Sequence, residues 1–167
     1  CFLAGITRNT VKFWRSGELI NSILTNTSTG DTMIAGAEGP MRIVNCAVVH
    51  PIGAGFAAYI SYTTTTLNTF EISNTVFGQT PAVAANTTDF RGRNNAWYAP
   101  ATSNGVLVYA PGRTASTMGQ LNGWPNCAGN MLTACGFTSP TAYNFSLIVG
   151  SPWIDAGTSA GVKLPTF

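Results

Sequence analysis

Four short segments share one arrangement of apolar and polar positions: an apolar stretch, an Asn, then more apolar residues. They are Leu19-Ile20-Asn21-Ser22-Ile23-Leu24, Ile43-Val44-Asn45-Cys46-Ala47-Val48, Ile72-Ser73-Asn74-Thr75-Val76-Phe77 and Arg93-Asn94-Asn95-Ala96-Trp97-Tyr98. The Asn positions Asn21, Asn45, Asn74 and Asn95 are 24, 29 and 21 residues apart. Cys1-Phe2-Leu3 at the start would match Cys46-Ala47-Val48 as a further copy if the residue before it were Asn. A second strand-like segment falls midway between successive Asn turns. Its copies are Thr10-Val11-Lys12-Phe13-Trp14, Thr32-Met33-Ile34, Ala58-Tyr59-Ile60, Ala82-Val83-Ala84 and Val106-Leu107-Val108-Tyr109.

A period near 24 with about three short strands per period is the requirement of a parallel β-solenoid, whose coils stack about 4.8 Å apart. Equivalent residues then lie above one another, and an Asn at the same bend of each coil forms a ladder of amide hydrogen bonds. Asn also tolerates the left-handed backbone of a tight turn. The predicted ladder is Asn21, Asn45, Asn74 and Asn95, in about four to five coils over residues 1–110. The competing reading is an antiparallel sandwich in which Asn marks unrelated turns. The agreement of the flanking apolar residues favours the solenoid.

From residue 100 the repeats stop. Residues 111–167 read as a loop excursion and a C-terminal cap of the same domain, ending in a strand with Tyr143, Phe145 and Leu147 on one face. The segment Gly150-Ser151-Pro152-Trp153-Ile154-Asp155-Ala156-Gly157-Thr158 is similar to the "GSPAIDAGT" signature that closes many secreted right-handed parallel β-helix proteins. It resembles especially the bacterial choice-of-anchor Q domain family, over roughly residues 90–160. The resemblance implies a right-handed β-helix and is nearly silent on activity. Trp153 departs from the small residue usual there, which implies a more exposed or differently packed cap. Asp155 reads as a turn residue accepting backbone N–H bonds. The abrupt start at Cys1 and the stop at Phe167 read as a piece cut from a longer β-helix.

Charged residues are only 8% of the chain, against 23 Thr, 14 Asn and 11 Ser. Helical bundles need charged surfaces, and the 11% aromatic content argues against disorder. Low charge suits stacked coils, because in-register stacking sets like charges about 5 Å apart. A net charge of +2 with two lysines offers no nucleic-acid footprint. The apolar window from Cys46 to Tyr62 is interrupted by His50, Pro51, Gly53 and Gly55 and is shorter than the ~20 residues of a membrane span. Cys127 and Cys135 flank a Gly/Asn-containing stretch and read as a small disulfide-closed loop, which points to an oxidising compartment. No CxxC pair exists and the single His is remote, so neither zinc nor any other metal or cofactor is expected.

Candidates for chemistry are sparse. Glu18 and Glu71 each precede a ladder Asn by three and so occupy equivalent positions, two coils and about 10 Å apart. That is just outside the window for a glycosidase pair. A lyase needs a cation and a base, for which Asp89, Arg91 and Arg42 are candidates. The plainer reading of Asp89-Phe90-Arg91-Gly92-Arg93 is a solvated turn with paired charges. His50 reads as a turn residue. Trp97, Tyr98 and Trp124 are candidate stacking platforms for sugar rings. Together these features point to an extracellular or surface-exposed module, of a cell or a virion, with a structural or adhesive role. Its partners would be polysaccharide and, as a trimer or filament, further copies of itself. A β-helix polysaccharide lyase or glycosidase is the alternative, and an architectural subunit of a spike, coat or filament is a third reading.

Overall fold

The computed structural model describes residues 2–5, 11–13, 15–26, 34–36, 39–49, 58–60, 69–78, 83–85, 87, 89–98, 107–134, 136–139, 142, 144–154 and 157. The apolar runs on either side of each Asn form separate short strands, because Asn turns the chain between them. One sheet holds the strands that follow the Asn turns: β1 (Phe2–Gly5), β4 (Ile23–Asn26), β7 (Ala47–Val49), β10 (Val76–Gly78), β13 (Ala96–Tyr98) and β16 (Met131–Leu132). A second holds the midway segments: β2 (Val11–Phe13), β5 (Ile34–Gly36), β8 (Ala58–Ile60), β11 (Val83–Ala85) and β14 (Val108–Ala110). A third holds the strands that precede the turns: β3 (Gly17–Ile20), β6 (Met41–Val44), β9 (Thr69–Ser73) and β12 (Asp89–Arg93). The chain is all-β, and it visits the three sheets in rotation. Each circuit forms one tier paired in parallel with the next.

Register follows the repeat. Phe2 pairs with Ile23 and Ile23 with Ala47, so the opening segment is level with the Cys46-Ala47-Val48 copy as the pattern predicts. The turn residues Asn21, Asn45, Asn74 and Asn94 have φ of 50°, 53°, 51° and 52°. The predicted ladder is therefore one residue out in its fourth member. The turn position is Asn94, and Asn95 is level with Thr75, Cys46 and Ser22 on the inner side of the corner. A fifth tier lies where a disulfide loop was expected. Ala128 pairs with Arg93 and Met131 with Ala96, so Gly129 (φ 68°) takes the turn position and Asn130 the inner one.

The main core is enclosed by all three sheets. Inward positions alternate along the third sheet, with Met41, Phe70 and Phe90 in one column and Leu19, Ile43 and Ile72 in another. In the first sheet Leu24, Val48, Phe77 and Trp97 form the corresponding column. Gly92 continues the Leu19 column without a side chain, and Cys127, the next tier's member, fills the space. Its Sγ lies 3.6 Å from where a Gly92 Cβ would sit. Cys127 is thus a free thiol 5% exposed in the core, not half of a bridge. Its inward position removes it from the surface loop that the expected disulfide required. Cys135 lies outside the described residues.

Two parts of the C-terminal third cover the tiers. The last parallel strand of the second sheet, β14, turns back through Pro111 and Gly112 into antiparallel β15 (Arg113–Ala115). Helix α1 (Met118–Asn122) follows, with a Thr117–Gln120 capping box. Ala115, Leu121, Met118 and Trp124 close on the core. The final segment does not sit on the end of the tiers, as expected, but on the outer face of the first sheet. There the hairpin β17 (Phe137–Ser139) and β18 (Asn144–Leu147), with Trp153, packs on Val49, Ala96 and Tyr98.

Candidate functional site

The charged candidates converge. Glu18, Arg42, Glu71 and Arg91 are successive members of one outward-facing column of the third sheet, since Glu18 pairs with Arg42, Arg42 with Glu71 and Glu71 with Arg91. The signs alternate from tier to tier. Arg42 donates to Glu18 Oε1 at 2.6 Å and lies 3.5 Å from Glu71 Oε2. The two carboxylates hold its guanidinium more firmly charged, with the Glu18 hydrogen bond the largest contribution. Glu71 also accepts from Ser73 Oγ. Alternation places attraction where a column of like charges would repel.

Asp89 and Arg91 face the same way because they are two apart on strand β12, where Phe90 and Gly92 point inward. This stretch is a strand rather than the turn read from sequence. Arg91 grips Asp89 with two bonds, Nε to Oδ1 at 3.0 Å and Nη2 to Oδ2 at 2.7 Å. Thr69 Oγ1 of the tier below donates to Oδ2 at 2.8 Å. The hydrogen bonds from Arg91, ahead of that from Thr69, hold the Asp89 carboxyl below its ordinary value. Every carboxylate in this cluster is bound to a cation, and Arg42 occupies the space between Glu18 and Glu71.

The aromatic candidates divide. Trp97 and Tyr98 are each 1% exposed. Trp97 points into the core and stacks on Phe77 at 4.9 Å. Tyr98 points outward, but Phe137 and Trp153 cover it, and its ring occupies the space that a Cβ on Gly78 would take. Neither ring offers a face to a sugar, which corrects their assignment as platforms. Both faces of the first sheet are buried here, one by the core and one by the terminal segment. Trp124 is half-buried; its ring meets Phe90 edge-on, and Arg113 lies 4.3 Å from its centroid. Trp14, His50 and Asp155 lie outside the described residues. Trp153 is buried, not exposed.

The polar ladder has two columns, and only its fourth predicted member was placed one residue away. In the outer column Asn74 Nδ2 donates to Asn45 Oδ1 at 3.1 Å. In the inner column the backbone N–H of each tier donates to a side-chain oxygen of the next: Cys46 to Thr75 Oγ1, Thr75 to Asn95 Oδ1, and Asn95 to Asn130 Oδ1. Asn122, at the end of helix α1, completes the series by accepting from Asn130 N and Nδ2. Asn95 Nδ2 further donates to Ile72 O and Asn130 Oδ1. The Asn94-Asn95 pair in the sequence is the signal for two columns, since one Asn serves each.

Beside this corner lies a cavity of about 50 Å³. It is lined by Asn74, Thr75, Val76, Asn94, Ala96, Met131, Trp153 and Gly157. No helix among the described residues is long and apolar enough to cross a membrane. No family model, curated protein or solved structure matches the chain.

Proposed function

We propose that the chain is a right-handed parallel β-helix module, carried on the exterior of a cell or virion, with a structural and glycan-contacting role rather than a catalytic one. The observation that carries this reading is the pairing of its few polar groups along the stacking direction. Glu18, Arg42 and Glu71 join three tiers through ion pairs, and the inner ladder joins tiers through Thr75, Asn95 and Asn130. Groups so engaged stabilise the stack. A catalytic acid or base must instead exchange protons at a substrate. The rotation of the chain through three sheets supports the β-helix, and the resemblance of residues 150–158 to the choice-of-anchor Q signature supports its handedness and its place outside the cell.

The convergence of Glu18, Arg42, Glu71, Asp89 and Arg91 on one face also suits a lyase or glycosidase. Incubation with a panel of neutral and uronate-containing polysaccharides, read by release of reducing ends, separates the two. The scaffold reading expects no release. Turnover that disappears in Glu71→Gln would establish the enzyme instead.

A further inference from the structure

We propose that Arg93 and Arg113, beside Trp124 at the fifth-tier end of the third sheet, bind the acidic group of an anionic glycan, a uronate carboxylate or a sulfate ester. This rests on the glycan-contacting reading above and names the chemistry recognised. Along the third sheet each charge meets an opposite charge in the next tier as far as Arg91. Beyond it the alternation stops, because residues 114–154, which include the fifth tier, carry no charged side chain. The cations at this end outnumber what the carboxylates can satisfy. Arg93 lies two residues beyond Arg91 on β12 and faces the same way, and Arg113 opens β15. Of the carboxylates described on this sheet, Glu18 and Glu71 are engaged by Arg42, and Asp89 is gripped by Arg91. None is left for Arg93.

The two guanidinium groups are held at one short segment. Arg93 Nε donates to Asn126 O at 3.4 Å, and its two Nη groups make no hydrogen bond among the described residues. The side chain is exposed. Arg113 lies over the Trp124 ring, its Cζ 4.3 Å from the centroid. Trp124 is itself fixed edge-on against Phe90. Stacking on an indole holds a guanidinium by its face and leaves its N–H edge for an anion. Both positive charges act on the Cys127 thiol, where they oppose the effect of burial, so both stand close to the 124–127 segment. Two such forks meet a carboxylate or a sulfate with paired, charge-assisted hydrogen bonds. Trp124 then acts as the positioning residue for Arg113 rather than as a platform for a sugar ring.

The test is calorimetric titration of the whole chain with a galacturonate oligomer beside its methyl ester, and with a sulfated galactan oligosaccharide beside its desulfated form. Binding is expected for the acidic forms only, weaker at raised salt, and whichever of the two binds identifies the acidic group. Arg93→Gln leaves the core untouched and should weaken binding about tenfold. Arg113→Gln should do the same and serves independently. Arg15→Gln, an equal change of charge at the opposite end of the stack, should leave affinity unchanged. Equal binding of acidic and neutral forms, full affinity in Arg93→Gln and Arg113→Gln, or an equal loss in Arg15→Gln overturns the proposal while leaving a glycan-contacting role intact. No binding to any sugar overturns both. A DNA duplex bound as tightly as the acidic sugars also overturns it.

Discussion

Replacing Asn95 by Ala tests whether the inner ladder holds the tiers together. Asn95 is fully buried. The change removes three hydrogen bonds: Thr75 N–H to Oδ1 at 3.0 Å, Nδ2 to Ile72 O at 2.9 Å and Nδ2 to Asn130 Oδ1 at 3.0 Å. At about 1 kcal/mol each these amount to about 3 kcal/mol, and the stranded Thr75 N–H adds about 1–2 kcal/mol more. A loss of about 4–5 kcal/mol is a large part of the 5–15 kcal/mol typical of a domain. Urea denaturation followed by circular dichroism should show a midpoint lower by about 2 M at unchanged slope. The neighbouring Asn94 is the control. It holds the turn at φ 52°, where Gly is at home, so Asn94→Gly should stay within about 0.5 kcal/mol of the parent. Asn94→Ala should cost about 1–2 kcal/mol from left-handed strain. A loss below about 1 kcal/mol for Asn95→Ala, or equal losses at both positions, would refute the two-column assignment.

Three further outcomes follow from the same contacts. Asp89 is held below its ordinary value by Arg91, so its contribution to stability is complete above about pH 4 and is lost as pH falls through the lower folded value; Arg91→Gln should flatten the acid side of a stability–pH profile, and an unchanged slope would count against the pair. Gly78→Ala drives a Cβ into the buried Tyr98 ring and should cost about 1–3 kcal/mol, seen as a melting temperature several degrees lower; a neutral result would place the ring elsewhere. Cys46 and Cys127 are buried thiols, and burial is the main cause that pushes both above the ordinary thiol range. Iodoacetamide at neutral pH should leave both unmodified until denaturant is added, and rapid native labelling of Cys127, or its recovery in a disulfide, would contradict its place in the core.

The repeat was legible because parallel stacking imposes the same local demand in every tier. Each corner needs a residue that accepts positive φ, and Asn21, Asn45 and Asn74 announce it from sequence. Where the demand has two answers the signal fades. Asn94-Asn95 offers two candidates for one turn, and only the pairing of Arg93 with Ser73 decides between them. In the fifth tier Gly129 meets the backbone demand better than Asn, so nothing in the pattern marks that corner, and Cys127 and Cys135 drew attention to the loop instead. The charge column was half legible, since the equivalence of Glu18 and Glu71 followed from the Asn spacing. The pairing of Arg91 with Asp89 was legible as well, since the two are close along the chain, whereas the insertion of Arg42 between Glu18 and Glu71 needed the register.

The sequence by itself determined the all-β class, the three-strand period and the positions of most turns, because these depend on residues close along the chain. Tertiary structure alone decided which side chains are available to a partner. Trp97 and Tyr98 are adjacent on one strand and point to opposite faces, so any one-sided sheet would expose one of them. Both are buried because the segment around Phe137 and Trp153 returns to cover the outer face. That same return brings Trp153 against Ala96 and Tyr98, a juxtaposition of residues more than fifty positions apart that no local pattern encodes.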